Sequence, residues 1–203
     1  MSMLDWASSD FTKPGESVSG DAGLVRFFPP AGALLAVMDG LGHGPEAADA
    51  ARRAREVLET CAPSSVIDLT RRCHQMLAGS RGVCLSLATF NAQDHTMTWM
   101  GVGNVEAVLV RAHDAEREHM LLRSGVVGLT LPRLQATMMP IHAGDMLVMY
   151  TDGIRMPYGD PLPAPDSPPG VMAQALLRRY LSSKPADDAL VIVARYTGGS
   201  LGQ

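Results

Sequence analysis

Acidic residues beside glycines are the groups in this 203-residue chain that could carry out chemistry. Two of them are Asp-Gly pairs, in which glycine lets the backbone carbonyl approach a ligand closely. Carboxylates gathered from distant strand ends repel one another unless a cation joins them, and such hard oxygen ligands suit Mg²⁺ or Mn²⁺. Two ions of this kind would activate a water and clamp a phosphoryl group. Either pair alone is also an ordinary turn, so the prediction depends on the whole set: Asp21, Asp39, Asp152, and Asp187 with Asp188.

The glycine-rich corner after Asp39, with the sequence GLGHG over residues 40–44, allows a second interpretation. A glycine-rich turn ahead of a helix can cradle a nucleotide phosphate. A carboxylate at the mouth of that turn would repel the phosphate unless a metal intervened. The third glycine also comes one residue too early for a G-x-G-x-x-G motif. The corner therefore favours metal binding over nucleotide binding.

The elements that must position these acids follow from hydrophobic periodicity and turn residues. Ser65 and Asp68 form a capping-box pattern at a helix start, and the six prolines of 155–170 predict an irregular connection. Consecutive strands with short turns, and helices set apart from them, indicate an α+β fold rather than a doubly wound sheet. We predict helices over 45–61, 65–78 and 171–182, and strands over 23–28, 33–38, 82–90, 95–100, 105–111, 119–123, 136–140, 145–151 and 189–196.

Composition narrows the function classes. A net charge of −4 gives no general affinity for nucleic acid, and 46% hydrophobic residues indicate a globular chain, which we expect to be one domain over 1–203. The three cysteines lack a C-x-x-C spacing and predict neither disulfides nor a zinc site. We find no secretory signal pattern and no apolar segment near the length of a membrane span, so we expect a cytoplasmic protein without a membrane partner.

Five motifs together carry a family resemblance: SVSGDAG, AVMDGLGHG, GVGNVEAVLV, VMYTDGI and DDALVIVARY. In this order they resemble the PPM (PP2C-like) metal-dependent serine/threonine phosphatases, in particular the SpoIIE branch and its short stressosome phosphatases. The resemblance covers about residues 15 to 196. It implies an α-β-β-α sandwich of two antiparallel sheets flanked by helices, with a metal centre between the sheets at one end.

The resemblance also implies roles for individual residues. Asp39 would bridge two Mn²⁺ or Mg²⁺ ions, and Asp39 and Asp152 would hold the attacking water between them. The matched metal ligands are Asp21 (directly or through water), Asp39, the carbonyl of Gly40, Asp152 and Asp187, with Asp188 as a less favoured alternative.

Two further positions stay open at this point. Many family members have a histidine directly after the first Asp-Gly, but here that residue is Leu41. His43 is either a candidate general acid for the leaving alkoxide or a turn histidine that faces solvent. Asn104, in the GVGN turn, either belongs to a plain hairpin or helps to position a loop or the substrate, and we assign it no catalytic role.

The implied activity is direct hydrolysis of phosphoserine or phosphothreonine by a metal-activated water, without a phosphoenzyme. The implied partners are phosphorylated STAS-domain proteins of a bacterial stressosome, whose signalling the enzyme would reset. No cysteine lies in a phosphate-cradling C-x₅-R loop, so a covalent thiol mechanism lacks its nucleophile. The alternative is a non-catalytic module of the same fold that binds a STAS protein without turning it over.

Overall fold

A computed structural model describes residues 2–162, 167–181 and 186–199. Eleven strands and three helices are assigned in these ranges. In chain order they are β1 (Leu4–Phe11), β2 (Asp21–Phe28), β3 (Gly32–Gly40), α1 (Pro45–Cys61), α2 (Val66–Met76), β4 (Val83–Asn91), β5 (Thr96–Val102), β6 (Glu106–Val110), β7 (Arg117–His119), β8 (Leu122–Arg123), β9 (Thr137–Pro140), β10 (Met146–Tyr150), α3 (Pro169–Tyr180) and β11 (Ala189–Tyr196).

The strands form two sheets. One has the order β1-β11-β10-β6-β7, and the other has the order β2-β3-β4-β5-β8, with β9 also paired to β5. All pairings are antiparallel except that of β5 with β8. The chain crosses between the sheets after β1, after β5, after β7 and after β9, so residues distant in sequence meet at the ends of the sandwich.

Three apolar layers hold the sandwich together. The middle layer lies between the sheets and contains Trp99 and Tyr196, while the outer layers lie under α1 with α2 and under α3. Alternate residues of β3 supply two layers at once, because Leu34 and Ala36 face the helices and Leu35 and Val37 face the other sheet. The predicted α-β-β-α architecture is therefore confirmed.

Local sequence signals explain the helix boundaries. Pro45 opens α1, where its missing N–H would have had no intrahelical partner. Ser65 is the N-cap of α2: its hydroxyl accepts from the Asp68 N–H at 3.1 Å and donates to the Asp68 carboxylate at 2.8 Å. The predicted Ser65 cap is therefore present, but the Asp68 carboxylate bonds the Ser65 hydroxyl and not the backbone N–H that a full capping box uses.

Three element predictions need correction. The N-terminal residues were not predicted as a strand, yet β1 pairs along its whole length with β11. The predicted strand 119–123 is two short strands, β7 and β8, which belong to different sheets. The third helix begins at Pro169 instead of residue 171, and its predicted end at residue 182 lies outside the described residues. The rest of 155–170 contains no helix or strand where it is described, and 163–166 lie outside that part.

Among the helices of the described chain, none combines the length and the apolar composition that crossing a bilayer requires. The three cysteines, Cys61, Cys73 and Cys84, are free.

Candidate metal centre

Strand β3 places Asp39 at one end of the sandwich. Leu35 and Val37 point into the layer between the sheets, and Asp39 follows two residues later on the same side. In the register of β2 and β3, Asp21 lies directly opposite Asp39. Directly opposed residues share a face and approach closely, so two carboxylates from one sheet meet at this end.

Gly40 fits a space that no other residue could fill. A Cβ atom built on Gly40 would lie 2.2 Å from the backbone oxygen of Ala47 in α1. The Gly40 N–H donates to the Gly20 carbonyl at 3.0 Å, which ties the end of β3 to the start of β2. Glycine therefore lets the first turn of α1 pack onto the strand end that carries Asp39.

The second sheet contributes Asp152, which follows β10 by two residues. Its Oδ2 accepts a hydrogen bond of 2.7 Å from Nδ2 of Asn104, in the turn between β5 and β6. Gly153 packs so closely on the start of β11 that a Cβ there would lie 2.1 Å from the Asp188 carbonyl oxygen. This contact fixes the Asp152-Gly153 turn beside the acids that open β11.

Asp187 and Asp188 have different environments. Asp187 is exposed, and its Oδ1 accepts from the Asp188 N–H at 3.0 Å. Asp188 is only 3% exposed, and its two carboxylate oxygens accept from the backbone N–H groups of Lys13 (2.9 Å) and Gly20 (2.7 Å). Asp188 thus uses both oxygens to anchor the loop before Asp21, which leaves Asp187 as the better placed ligand of the pair.

Thr151 links the two sheets at this end. Its Oγ1 accepts from the Leu190 N–H at 2.9 Å and donates to Oδ2 of Asp21 at 2.7 Å. The residue is 1% exposed, so these bonds form away from water. Thr151 therefore orients Asp21 from the opposite sheet.

The gathered carboxylates raise one another's pKa. Burial raises the pKa of Asp39 to about 7, and the charges of Asp152 and Asp187 add to this effect. Burial and the charge of Asp39 raise the pKa of Asp21 to about 8. The pKa of Asp152 is raised by desolvation and by the charge of Asp187. Asp21, Asp39 and Asp152, from both sheets, thus resist ionising together.

The donor set fits Mg²⁺ or Mn²⁺. Carboxylate and carbonyl oxygens are the ligands that such hard cations prefer, and a cation would remove the repulsion that raises these pKa values. No described basic side chain forms an ion pair with Asp21, Asp39, Asp152 or Asp187. In the described ranges, no three His, Cys, Asp or Glu side chains are already gathered as ligands of one ion. Asn104 and Thr151 hold two of the acids instead.

His43 lies at the mouth of this corner but bonds elsewhere. Its Nδ1 is paired with the Glu16 carboxylate, from the loop before β2, and about half of its side chain is exposed. None of its described hydrogen bonds involves the four acids. Its part in proton transfer stays a prediction.

Cys84 lies opposite Asp39 on β4. Burial raises the pKa of its thiol to about 11, so the thiolate that a covalent mechanism needs is strongly disfavoured.

Thr151 and Asn104 show what the sequence interpretation missed. Thr151 was not considered, although the alternation of Leu147 and Met149 toward the intersheet layer places residue 151 on the same face. For Asn104, the sequence left open a plain hairpin or a part in positioning a loop or the substrate; in the structure its amide donates to Asp152, and hydrogen bonding from Asn104 also lowers the pKa of Asp39.

Two stacked antiparallel sheets between helices, with a carboxylate cluster at one end, define the PP2C-like class of metal-dependent phosphatases. Residues 29–156 match the family model described as Stage II sporulation protein E (SpoIIE). The match spans more than half of the chain, and the chain therefore belongs to the SpoIIE family.

Individual relatives agree with this assignment. The chain is 28% identical over 148 residues to the phosphoserine phosphatase RsbX of Bacillus subtilis (strain 168). The matched region covers 71% of this chain and 72% of that protein. One solved structure comes from a study of the bacterial stressosome as a modular system adapted to control secondary messenger signalling. It is 28% identical to this chain, with a TM-score of 0.85, and the match covers 95% of this chain and 99% of that one. A crystal structure of RsbX in complex with magnesium has a TM-score of 0.81 at 22% identity and covers 96% of both chains.

Proposed function

We propose that this chain is a metal-dependent protein phosphatase that hydrolyses phosphoserine or phosphothreonine. The observation that carries the proposal is the convergence of Asp21 and Asp39 from one sheet with Asp152 and Asp187 from the other, with the pKa of Asp39 raised to about 7. Such a cluster is unfavourable for folding by itself and becomes favourable when cations bind. Kinship with a phosphoserine phosphatase supports the same activity.

Mg²⁺ or Mn²⁺, as two ions, would activate a water and neutralise charge on the phosphoryl group when bound. The residues that would hold them are Asp21, Asp39, the Gly40 carbonyl, Asp152 and Asp187. The chain itself supplies the orientation: Thr151 fixes one oxygen of Asp21, and Asn104 fixes one oxygen of Asp152.

The positions of the acids suit this role. Asp39 lies at the end of a fully buried strand, between Asp21 on its own sheet and Asp152 on the other. We therefore assign to Asp39 the bridging position and, with Asp152, the orientation of the attacking water. His43 remains a candidate for protonating the leaving alkoxide, after release from Glu16.

The proposed substrates are phosphorylated STAS-domain proteins of a bacterial stressosome, and the proposed location is the cytoplasm. Support comes from the similarity to RsbX and to a structure from work on the stressosome. Removal of the phosphate would return these partners to their resting state after stress. We propose that one domain over 1–203 carries this activity.

The test is hydrolysis of p-nitrophenyl phosphate and of a phosphoserine-containing STAS protein with added Mn²⁺. We expect activity from the wild type, no activity from Asp39→Asn, and normal activity from Asp5→Asn, a matched change at an exposed position on β1. Absence of hydrolysis by the wild type would contradict the proposal. Calorimetry then identifies the alternative, because a binding module would retain STAS-protein binding without binding Mn²⁺ tightly.

A further inference from the structure

The strand β2, which carries Asp21, has an unpaired edge. Within the described residues it lies at the end of its sheet and pairs only with β3, and β1 likewise lies at the end of the other sheet. Because the Gly40 N–H donates to the Gly20 carbonyl, the even-numbered residues of β2 exchange hydrogen bonds with β3. The odd-numbered residues Gly23, Val25 and Phe27 therefore direct their N–H and C=O groups away from the sheet.

A cleft of about 410 Å³ lies along this edge and begins at Asp21. Its lining contains every residue of β2 from Asp21 to Arg26, but only alternate residues of β1, namely Trp6, Ser8 and Asp10. A consecutive run exposes a backbone edge, whereas alternate residues expose a face of side chains. The cleft thus offers the hydrogen-bonding groups of β2 on one wall and the side chains of β1 on the other.

Gly23 lets β2 pack closely against β11 at the bottom of this cleft. A Cβ atom on Gly23 would lie 2.7 Å from Cδ1 of Ile192 and 3.3 Å from Cδ2 of Leu190. Both of these β11 residues line the cleft, so they form an apolar floor beneath the free edge. Trp6, which is 41% exposed, adds an aromatic surface of the kind that dominates protein interfaces.

The charged residues that line the cleft are two arginines, Arg26 and Arg55, and three acids, Asp10, Asp21 and Glu59. Arg26 on β2 and Arg55 on α1 both line it, and neither forms an ion pair within the described part of the chain. The neighbouring Arg52 and Arg53 of α1, in contrast, are paired with Asp49. None of the three lining carboxylates forms an ion pair with Arg26 or Arg55 in the described part of the chain, so both guanidinium groups can still pair with an acidic side chain of a partner.

Distance along the strand fixes where the acidic group should lie. Asp21 belongs to the metal centre, and Arg26 lies five residues further along β2, about 17 Å away at the usual rise per residue. Consider an extended segment that pairs with β2 and has its phosphoserine at the metal centre. The residue about five positions from the phosphoserine in that segment would then lie opposite Arg26.

We infer that this cleft binds the segment of the phosphoprotein that flanks the phosphoserine, as an added β-strand on β2, with an acidic side chain held by Arg26 and Arg55. This recognition rests on the proposed phosphatase function. Strand addition supplies affinity through main-chain hydrogen bonds and selectivity through pockets for alternate side chains. The cleft would thus select among phosphoserine sites, whereas the metal centre would not.

The experiment compares kcat/KM for synthetic phosphoserine peptides with glutamate or lysine five residues before or after the phosphoserine. The enzymes are the wild type, Arg26→Glu, Arg55→Glu and the control Arg133→Glu, at an exposed arginine between β8 and β9 that does not line the cleft. We expect the wild type to prefer a glutamate peptide by about tenfold, and Arg26→Glu and Arg55→Glu to reverse that preference. Hydrolysis of p-nitrophenyl phosphate should not change.

A second set of peptides tests strand pairing itself. Methylation of alternate backbone nitrogens that face β2 should lower kcat/KM at least about tenfold, whereas methylation of the intervening nitrogens should not. The inference is wrong if every enzyme treats glutamate and lysine peptides alike, or if methylation has the same effect at both sets of positions. Loss of all hydrolysis by the wild type, including that of p-nitrophenyl phosphate, would instead refute the proposed phosphatase function.

Discussion

Replacement of Asp39 by asparagine should stabilise the metal-free protein while it abolishes metal binding. Burial and two neighbouring carboxylates raise the pKa of Asp39 from 3.8 to about 7. A group whose pKa is raised in the folded state contributes stability below its unfolded pKa, and that contribution is lost as pH rises through the folded value. Between about pH 4 and pH 8, the free energy of unfolding should therefore fall in the wild type and fall less in Asp39→Asn.

The size of the effect follows from the shift. About three pKa units would correspond to about 4 kcal/mol for an isolated group, at 1.36 kcal/mol per unit. Because Asp39 shares its repulsion with Asp21 and Asp152, which can hold the proton instead, we expect about 2 kcal/mol. For a chain of this size, that is a rise in Tm of about 4–8 °C at pH 8.

The assay is thermal unfolding at several pH values, with a chelator and then with MnCl₂. Added Mn²⁺ should raise the Tm of the wild type and leave Asp39→Asn unchanged, because the variant lacks the bridging carboxylate. Asp5→Asn, at an exposed site on β1, serves as the control and should behave as the wild type. An Asp39→Asn protein that is no more stable than the wild type at pH 8 in chelator would refute the repulsion on which the metal site depends.

Two packing predictions concern the same end of the sandwich. Gly40→Ala should lower the free energy of unfolding by more than about 3 kcal/mol, since the new methyl group would overlap the Ala47 carbonyl. Gly79→Ala, with no atom within 4 Å of its Cβ, should lower it by only about 1 kcal/mol through backbone strain. Urea unfolding measures both variants, and equal effects would contradict the close approach of α1. Thr151→Val should cost about 1–3 kcal/mol because it leaves the buried Leu190 N–H without an acceptor, whereas Thr151→Ser should retain most of the stability and the metal affinity. Equal stability of the valine and serine variants would show that the hydroxyl is not needed.

The acids that the structure brings together could be predicted from the sequence, whereas the residues that support them could not. Asp-Gly pairs at the ends of apolar runs are local signals, so Asp39 and Asp152 could be found without a fold. The functions of Asp188 and Thr151 depend on contacts across 168 and 130 positions of sequence, and no local pattern encodes them. Only their places in the two sheets reveal that one anchors a loop and the other orients Asp21.

Most of the predicted strands are present, and the two strand errors, at residues 4–11 and 119–123, have a similar cause. Residues 4–11 alternate polar and apolar side chains only weakly, and pairing with β11 decides their conformation. In contrast, the starts of the first two helices were predicted to within one residue, because capping at Ser65 and the entry at Pro45 are encoded within one turn. Sheet membership of the short strands β7 and β8 depends on their neighbours in space, which sequence periodicity does not report.

The anchoring of the early loop by Asp188 has a consequence for how the protein becomes active. The Gly20 N–H donates to the Asp188 carboxylate across a sequence separation of 168 residues, and the Lys13 N–H donates to it across 175. Contacts of such high sequence separation form late, because the entropy of closing so long a loop must be overcome first. The carboxylate cluster is therefore completed only when β11 docks between β1 and β10. Partly folded chains should lack this cluster and leave phosphorylated proteins untouched, so that catalytic competence coincides with completion of the fold.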